Sequence, residues 1–213
     1  MVIVQFRSLM IERAIKSVTF SIVLFCAWGW VAFQKGKGML VRYDAVELAW
    51  FGYNIVIAVL FLIRTRPTIV SLDPVHWLVA LTASFSGFFF HTYDVSLDSW
   101  HGRVGSALII TGILSGIIVG LSLGRSYDFL PALRGVQTGW AYRWVRHPMY
   151  VSSIVIRLGY LCVHPSLFNL VVFAVMLELY VIRSNIEEAV MLHDPQYRTY
   201  LEKVRWKFIP GLH

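Results

Sequence analysis

The sequence predicts an all-α integral membrane protein, a single membrane domain of about six transmembrane or membrane-embedded helices. Three observations predict it. Of its 213 residues, 57% are hydrophobic and 15% charged, a balance that few soluble domains reach. The apolar residues gather in runs close to the roughly 20 residues needed to cross a hydrocarbon core. The basic residues sort to one side of the implied topology, as they do in membrane proteins.

The first run, 15–33, follows basic residues, but it is long for a signal peptide and no small-residue cleavage site follows it, so it reads as a retained helix. Runs 46–63, 75–91 and 104–123 complete a four-helix portion over residues 1–123. The last of these carries Gly112, Gly116, Gly120 and Gly124, each four residues from the one before and so on one helix face. Close helix packing is the main expectation for such a face, and a groove wall for a flat or lipidic ligand the lesser one. The fifth run, 150–163, is short for a span, and only His164-Pro165 joins it to the sixth, 166–182. The two are expected to form a tight hairpin whose first arm need not cross fully. The longest connection, Leu123 to Met149, and the tail from Arg183 to His213 are the only substantial polar stretches. The tail begins as a helix, with Arg183 one turn before Glu187, breaks at Asp194-Pro195, and is expected to lie along the membrane face.

With both ends on one side, that side collects Arg7, Arg13, Lys16, Arg64, Arg66, Arg125, Arg134, Arg143, Arg146, Arg183, Arg198, Lys203, Arg205 and Lys207. The other side holds Lys35, Lys37, Arg42 and Arg103, and Arg157 falls inside a run. This asymmetry places both termini and the long loop in the cytoplasm, in a multi-pass protein expected in a bacterial inner membrane. The net charge of +7 is then a topology signal with some attraction to anionic headgroups, and it gives no reason to expect a nucleic-acid partner. Cys26 and Cys162 lie in apolar runs without metal-ligand spacing, so neither a disulfide nor a metal site is expected. His91, Asp94, Asp98 and His101 have the composition of a metal site but no recognisable ligand spacing, and read as polar turns, while His76 and His164 read as interfacial residues.

Chemistry concentrates after residue 140. Arg146 and His147 stand just ahead of Pro148, whose fixed φ and missing N–H suit the first position of a helix. A helix start beside two basic side chains can take a small carboxylate or phosphate. Glu187-Glu188 supplies the opposite charge, so a ligand with both an anionic and a cationic group, as an amino acid has, could be held between the clusters. Trp140, Tyr142, Trp144 and Tyr150 offer aromatic faces nearby. Arg157 interrupts an apolar helix. It either pairs with Glu178 at similar depth in the partner run or defines a substrate, since intramembrane charges find partners and mark function.

These residues resemble the isoprenylcysteine carboxyl methyltransferases and the related membrane phospholipid methyltransferases. The resemblance covers about the C-terminal half, 124–213, and rests on Leu123-Gly124-Arg125-Ser126, on Tyr142 to Tyr150 (YRWVRHPMY), on Gly159, and on Arg183, Glu187-Glu188, Tyr197, Tyr200 and Phe208-Ile209-Pro210-Gly211 in order. The chain departs from the pattern at Ser152, where a glycine is frequent, at His193-Asp194-Pro195, which replaces a Phe-Gly, and at Arg157.

The resemblance implies S-adenosyl-L-methionine as methyl donor, held at the cytoplasmic face by the long loop and the tail, with Arg146, His147, Tyr150, Glu187, Glu188, Tyr142 and Trp144 as cofactor-binding residues. Arg183, Glu188 and Arg157 are the catalytic candidates, with Arg183 either orienting an acceptor carboxylate or holding the glutamates and Arg157 able to orient that carboxylate from inside the membrane. No metal is required. The acceptor is a lipophilic molecule or lipid, most like an isoprenylcysteine-type carboxylate, with an amine or a thiol also compatible. Two other readings compete: an NADPH-dependent membrane reductase of the sterol-reductase type, which the acidic pair disfavours, and a non-catalytic membrane carrier.

Overall fold

The computed structural model describes residues 18–41, 45–93 and 99–211. The charges at Arg7, Arg13, Lys16 and Arg42, and the pair Asp94 and Asp98, lie outside the described residues, as do both chain ends.

The described residues form seven α-helices: α1 (Val18–Val41), α2 (Ala45–Ile63), α3 (Pro74–Phe85), α4 (Trp100–Leu123), α5 (Pro148–Val163), α6 (Leu167–Met191) and α7 (Pro195–Lys203). Among the described residues all six apolar runs are largely helical, and of these helices only α2, α4 with its continuation to Ser126, and α6 are long and apolar enough to cross a membrane. The other three apolar stretches are shorter, at 18–34, 74–89 and 148–163. At about 1.5 Å per residue, 74–89 and 148–163 fall short of a hydrocarbon core of roughly 30 Å, whereas α1 runs on to Val41 with a less apolar end. Against the expectation of about six transmembrane or membrane-embedded helices, the fifth of them short for a span, the described residues hold three helices long and apolar enough to cross and three shorter apolar stretches.

Local sequence explains the helix starts. Asp73 accepts from the Val75 N–H at 2.8 Å with Pro74 in the first turn, Ser99 and Ser166 cap α4 and α6, and Asp194 accepts from the Gln196 N–H at 2.8 Å ahead of Pro195. Such caps satisfy amide groups that a helix start leaves unpaired. One boundary differs from expectation. The tail does not begin a separate surface helix at Arg183, because α6 runs unbroken to Met191. Arg183 and Glu187 therefore project from the last turns of a spanning helix.

Glycines bring α4 and α5 together. A Cβ on Gly159 would lie 2.7 Å from the Gly105 carbonyl oxygen, and one on Gly112 would lie 2.8 Å from the Ile156 nitrogen. The glycine stripe is therefore divided: Gly112 faces α5, whereas Gly116 and Gly120 face Tyr53 and Leu60 of α2. With α5 drawn onto α4 and α6 packed on α3, the expected tight hairpin is splayed. Its two arms meet near His164–Ser166, where Asn169 donates to the His164 and His91 carbonyls at 2.8 and 2.9 Å.

The long loop is folded rather than open. Ile69–Val70 (β1) and Ala132–Leu133 (β2) form a two-stranded antiparallel ladder, a small departure from an all-α chain. Asp128 receives Arg64 at 2.7 Å and two nitrogens of Arg134 at 2.5 and 3.0 Å, with side-chain exposures of 5% for the acid and 1% for each arginine. Arg64 also donates to Ser21 of α1 at 2.8 Å. The loop then inserts Tyr127 and Phe129 against Phe61 and Trp28, with ring centroids 4.7 to 5.2 Å apart for the Phe61 pairs and 4.9 Å for Trp28–Phe129. Charged loop segments that the topology rule had placed on one side thus meet at one end of the bundle.

Candidate active site

Pro148 opens α5, and the tail folds back beside that opening. The backbone N–H groups of Arg146 and His147 donate to the carbonyls of Trp206 and Lys207 at 2.9 and 3.0 Å. Those two amides are therefore occupied by the tail. What remains for a ligand is mainly side chains.

The basic and acidic clusters meet directly. His147 Nε2 lies 2.9 Å from Glu188, Arg146 Nη1 3.3 Å and Lys207 Nζ 3.4 Å. Glu187 forms a second unit, accepting from the Tyr150 hydroxyl at 2.6 Å and from Arg183 Nε at 2.9 Å. The remaining Arg183 nitrogens donate to Ser84 Oγ at 2.6 Å, the Ala80 carbonyl at 3.0 Å and the Phe129 carbonyl at 2.8 Å. Of the two roles the sequence left open for Arg183, this geometry matches holding the glutamate, because every nitrogen of its guanidinium already has a partner. Rings stack over the units, with His147 on Tyr150 at 5.3 Å, Tyr150 on Tyr180 at 4.9 Å, and Phe208 6.2 Å from Tyr150.

Tyr142, Tyr197 and Tyr200 close the loop side. Tyr200 donates to the Tyr142 carbonyl at 2.6 Å, while the Tyr197 hydroxyl is buried with no hydrogen-bond partner. Burial pushes all three phenols well above their usual range, reinforced by Glu187 for Tyr142 and by Glu188 for Tyr197 and Tyr200. They stay neutral donors at physiological pH.

A cavity of about 470 Å³ runs from these groups into the bundle, a size typical of ligand sites. Tyr150, Ser153, Arg157 and Tyr160 line it from one face of α5, and Tyr180, Arg183, Glu187 and Met191 from one face of α6. From Tyr150 to Tyr160 the α5 wall covers about 15 Å at ~1.5 Å per residue. Its inner end is bounded by Trp50, Tyr53, Gly87, Phe88 and Phe90.

Of the residues the sequence singled out, Arg146, His147, Tyr142, Tyr150, Arg157, Arg183 and Glu187 line this one cavity, and Glu188 pairs with two of them. Trp144 does not join them. It is 62% exposed with the Arg143 guanidinium 5.1 Å over its ring, and Trp140 beside it is 72% exposed with a φ of 53°. The Trp140–Arg143 3₁₀ turn aims both rings outward, an arrangement suited to the membrane interface. Arg157 does not pair with Glu178, which is exposed on the outer face of α6. Sequence reasoning missed Lys207, counted only for topology, and Tyr180, whose spacing of three and seven residues from Arg183 and Glu187 was the available signal. Among the described residues no group of three His, Cys, Asp or Glu could hold a metal ion.

Residues 100–196 match the family model described as phospholipid methyltransferase. The matched stretch runs from the first residue of α4 into α7 and contains both glutamates, Arg146 to Tyr150 and Arg183. It supports the resemblance read from the sequence over this region. No curated protein matches the chain.

Proposed function

We propose, taking residues 100–196 as a phospholipid methyltransferase domain, that the cavity takes S-adenosyl-L-methionine at its charged end and a lipophilic acceptor at its apolar end. The observation that carries this reading is the continuity of the two ends in one cavity. A cluster of both charge signs opens into an aromatic and apolar channel along α5.

The residues fit the cofactor's chemistry. Arg146, Lys207 and Arg183 set three positive charges against Glu187 and Glu188, so the cluster has a surplus cation even with His147 neutral. The Nε of Arg146 and the hydroxyl of Tyr197 are buried without partners at the site. An amino-acid carboxylate would take Arg146 and Lys207, and its ammonium would take a glutamate side chain, exchanging the present ion pairs for charge-assisted hydrogen bonds of the same kind. Tyr142, Tyr150 and Phe208 provide ring faces for the adenine and for the cationic sulfur.

When bound, the cofactor supplies a methyl group activated by the sulfonium. The chain's part is alignment. Stacked rings and the Tyr150–Glu187 pair fix where the reacting groups lie, because an in-line displacement gains most from correct geometry. The tail and the 127–137 loop cover the charged end and exclude water. Glu187, facing the cavity beside Tyr150, would orient an acceptor amine or thiol or hold its proton, while an acceptor carboxylate, already anionic, would be met by the cluster's surplus cation. The acceptor reading remains a carboxylate of the isoprenylcysteine type, with amines and thiols as further substrates to screen.

Calorimetric binding of S-adenosyl-L-methionine and its demethylated product to detergent-purified protein tests the proposal, with H147A and E188Q alongside and NADPH as control. Micromolar binding of the donor and of its demethylated product, lost in the variants, is expected. Binding of NADPH alone by folded protein would overturn it.

A further inference from the structure

Arg157 is a cation in the middle of α5, nine residues beyond Pro148. Its Nε is buried and has no hydrogen-bond partner, and among the described residues its guanidinium forms no ion pair. A charged group at membrane depth without a partner is costly, and such groups face cavities or pair with something. Here the carboxylate offered by the sequence, Glu178, faces away. The cavity is what Arg157 faces.

Gly87 packs directly against the guanidinium, so closely that a Cβ on Gly87 would overlap the Arg157 nitrogens and displace them. Trp28 and Trp50, two further lining residues, also bury their indole N–H groups without hydrogen-bond partners. The cation that faces this otherwise apolar and aromatic end has no counter-charge, and its complement is an anionic acceptor of hydrogen bonds.

We infer that the inner end of the cavity is a second anion site, in which Arg157 receives the carboxylate or phosphate of a lipophilic molecule, about 10 Å along α5 from Tyr150 at ~1.5 Å per residue. This deepens the methyltransferase reading and rests on it for the identity of the ligand as acceptor. The acceptor class becomes an amphiphile with two polar groups, one methylated near Glu187 and one acidic group anchored deeper. The same chemistry could come from a bilayer phospholipid headgroup.

Native mass spectrometry of the full chain in neutral detergent separates these cases. Dodecanoate and dodecyl phosphate serve as single-chain anions, dodecanol as their neutral control, and phosphatidylglycerol against phosphatidylcholine as the bilayer arm. The demethylated cofactor product is measured in parallel. Wild type is expected to retain the anions about tenfold better than dodecanol, the size of a charge-assisted hydrogen bond. R157Q should abolish that preference, R157K keep part of it, and G87A weaken it by displacing the guanidinium, all with unchanged binding of the cofactor product. Preference for phosphatidylglycerol that disappears in R157Q would make the headgroup the source of the anion, and preference confined to single-chain probes would make it the acceptor. Equal retention of dodecanol and the anions by wild type, or a preference that survives R157Q, would overturn the site. Loss of cofactor-product binding with the anion preference intact would instead sink the methyltransferase reading and leave the anion site standing.

Discussion

Tyr150 and Glu187 share a 2.6 Å hydrogen bond that ties α5 to α6 where the two helices part to form the cavity. Arg183 donates to the same carboxylate oxygen at 2.9 Å. Removing the hydroxyl with Y150F deletes one bond to a charged acceptor and leaves the ion pair, so a loss of roughly 1.5–3 kcal/mol is expected. E187Q keeps an acceptor in place but leaves the buried Arg183 without its counter-charge, for which roughly 3–5 kcal/mol is expected. Thermal unfolding of both variants in the same detergent checks the order, and an E187Q protein as stable as Y150F would refute it.

Asp128 holds two arginines that are each 1% exposed, and through them it links α1, the segment after α2 and the long loop. Replacing it with Asn removes the charge both guanidiniums share. A destabilisation of at least about 3 kcal/mol follows from stranding buried cations. The loop carries Tyr127 and Phe129 into the core and its later residues line the cavity, so D128N should also weaken binding of the cofactor product. Unchanged melting and unchanged affinity would show that the network is dispensable.

Much of the site was legible because it is written in short, charged, closely spaced motifs: Arg146-His147-Pro148 and Glu187-Glu188 stand out against an apolar background, and helical spacing puts Arg183 over Glu187. The fold was legible as apolar runs, since all six are largely helical among the described residues. Run length marked 150–163 as short for a span, but it did not single out 18–34 and 74–89, whose runs read about as long as those of the helices that reach spanning length. Side-chain direction was the second thing it could not carry. Trp144 and Tyr142 are two residues apart, yet Trp144 is exposed and Tyr142 buried, since Tyr142 lies within a 3₁₀ turn that ends before Trp144. Glu178 and Arg157 stand on faces that do not meet, because α5 packs chiefly on α4 and Glu178 is exposed on the outer side of α6. Trp144 accordingly yields a further expectation: W144A should leave affinity for the cofactor product within about twofold of wild type, well under the ~1.4 kcal/mol of a tenfold change, and a larger loss measured by calorimetry would return it to the site.

The contact between Gly105 and Gly159 sets the distance between α4 and α5. A methyl group on Gly159 would sit 2.7 Å from the Gly105 carbonyl and equally near Ile109. G159A should therefore push the helices apart and cost about 1–3 kcal/mol, as overpacking does. A methyl group on Gly29, by contrast, would meet nothing within 4 Å, and G29A in α1 should be neutral or slightly stabilising through helix propensity. Thermal melts of the pair form an internal control, and a G159A protein that melts no lower than G29A would show that the α4–α5 contact tolerates widening.

Alkaline pH offers a test of the loop and tail packing. Burial raises the phenols of Tyr127, Tyr142, Tyr197 and Tyr200 above their ordinary value near 10. A phenol raised in the folded state binds its proton more tightly there than in the unfolded chain. Its contribution to stability is therefore complete below about pH 10 and is lost as the pH climbs above that value toward the folded-state range, because the unfolded chain gains by ionising first. Melting temperature should be insensitive to these groups between pH 7 and 9 and fall steeply above about 10. The Y197F variant, which removes an unpartnered buried hydroxyl from this set, should soften the fall. Identical alkaline profiles for wild type and Y197F would mean that this hydroxyl meets water as freely in the folded protein as in the unfolded chain.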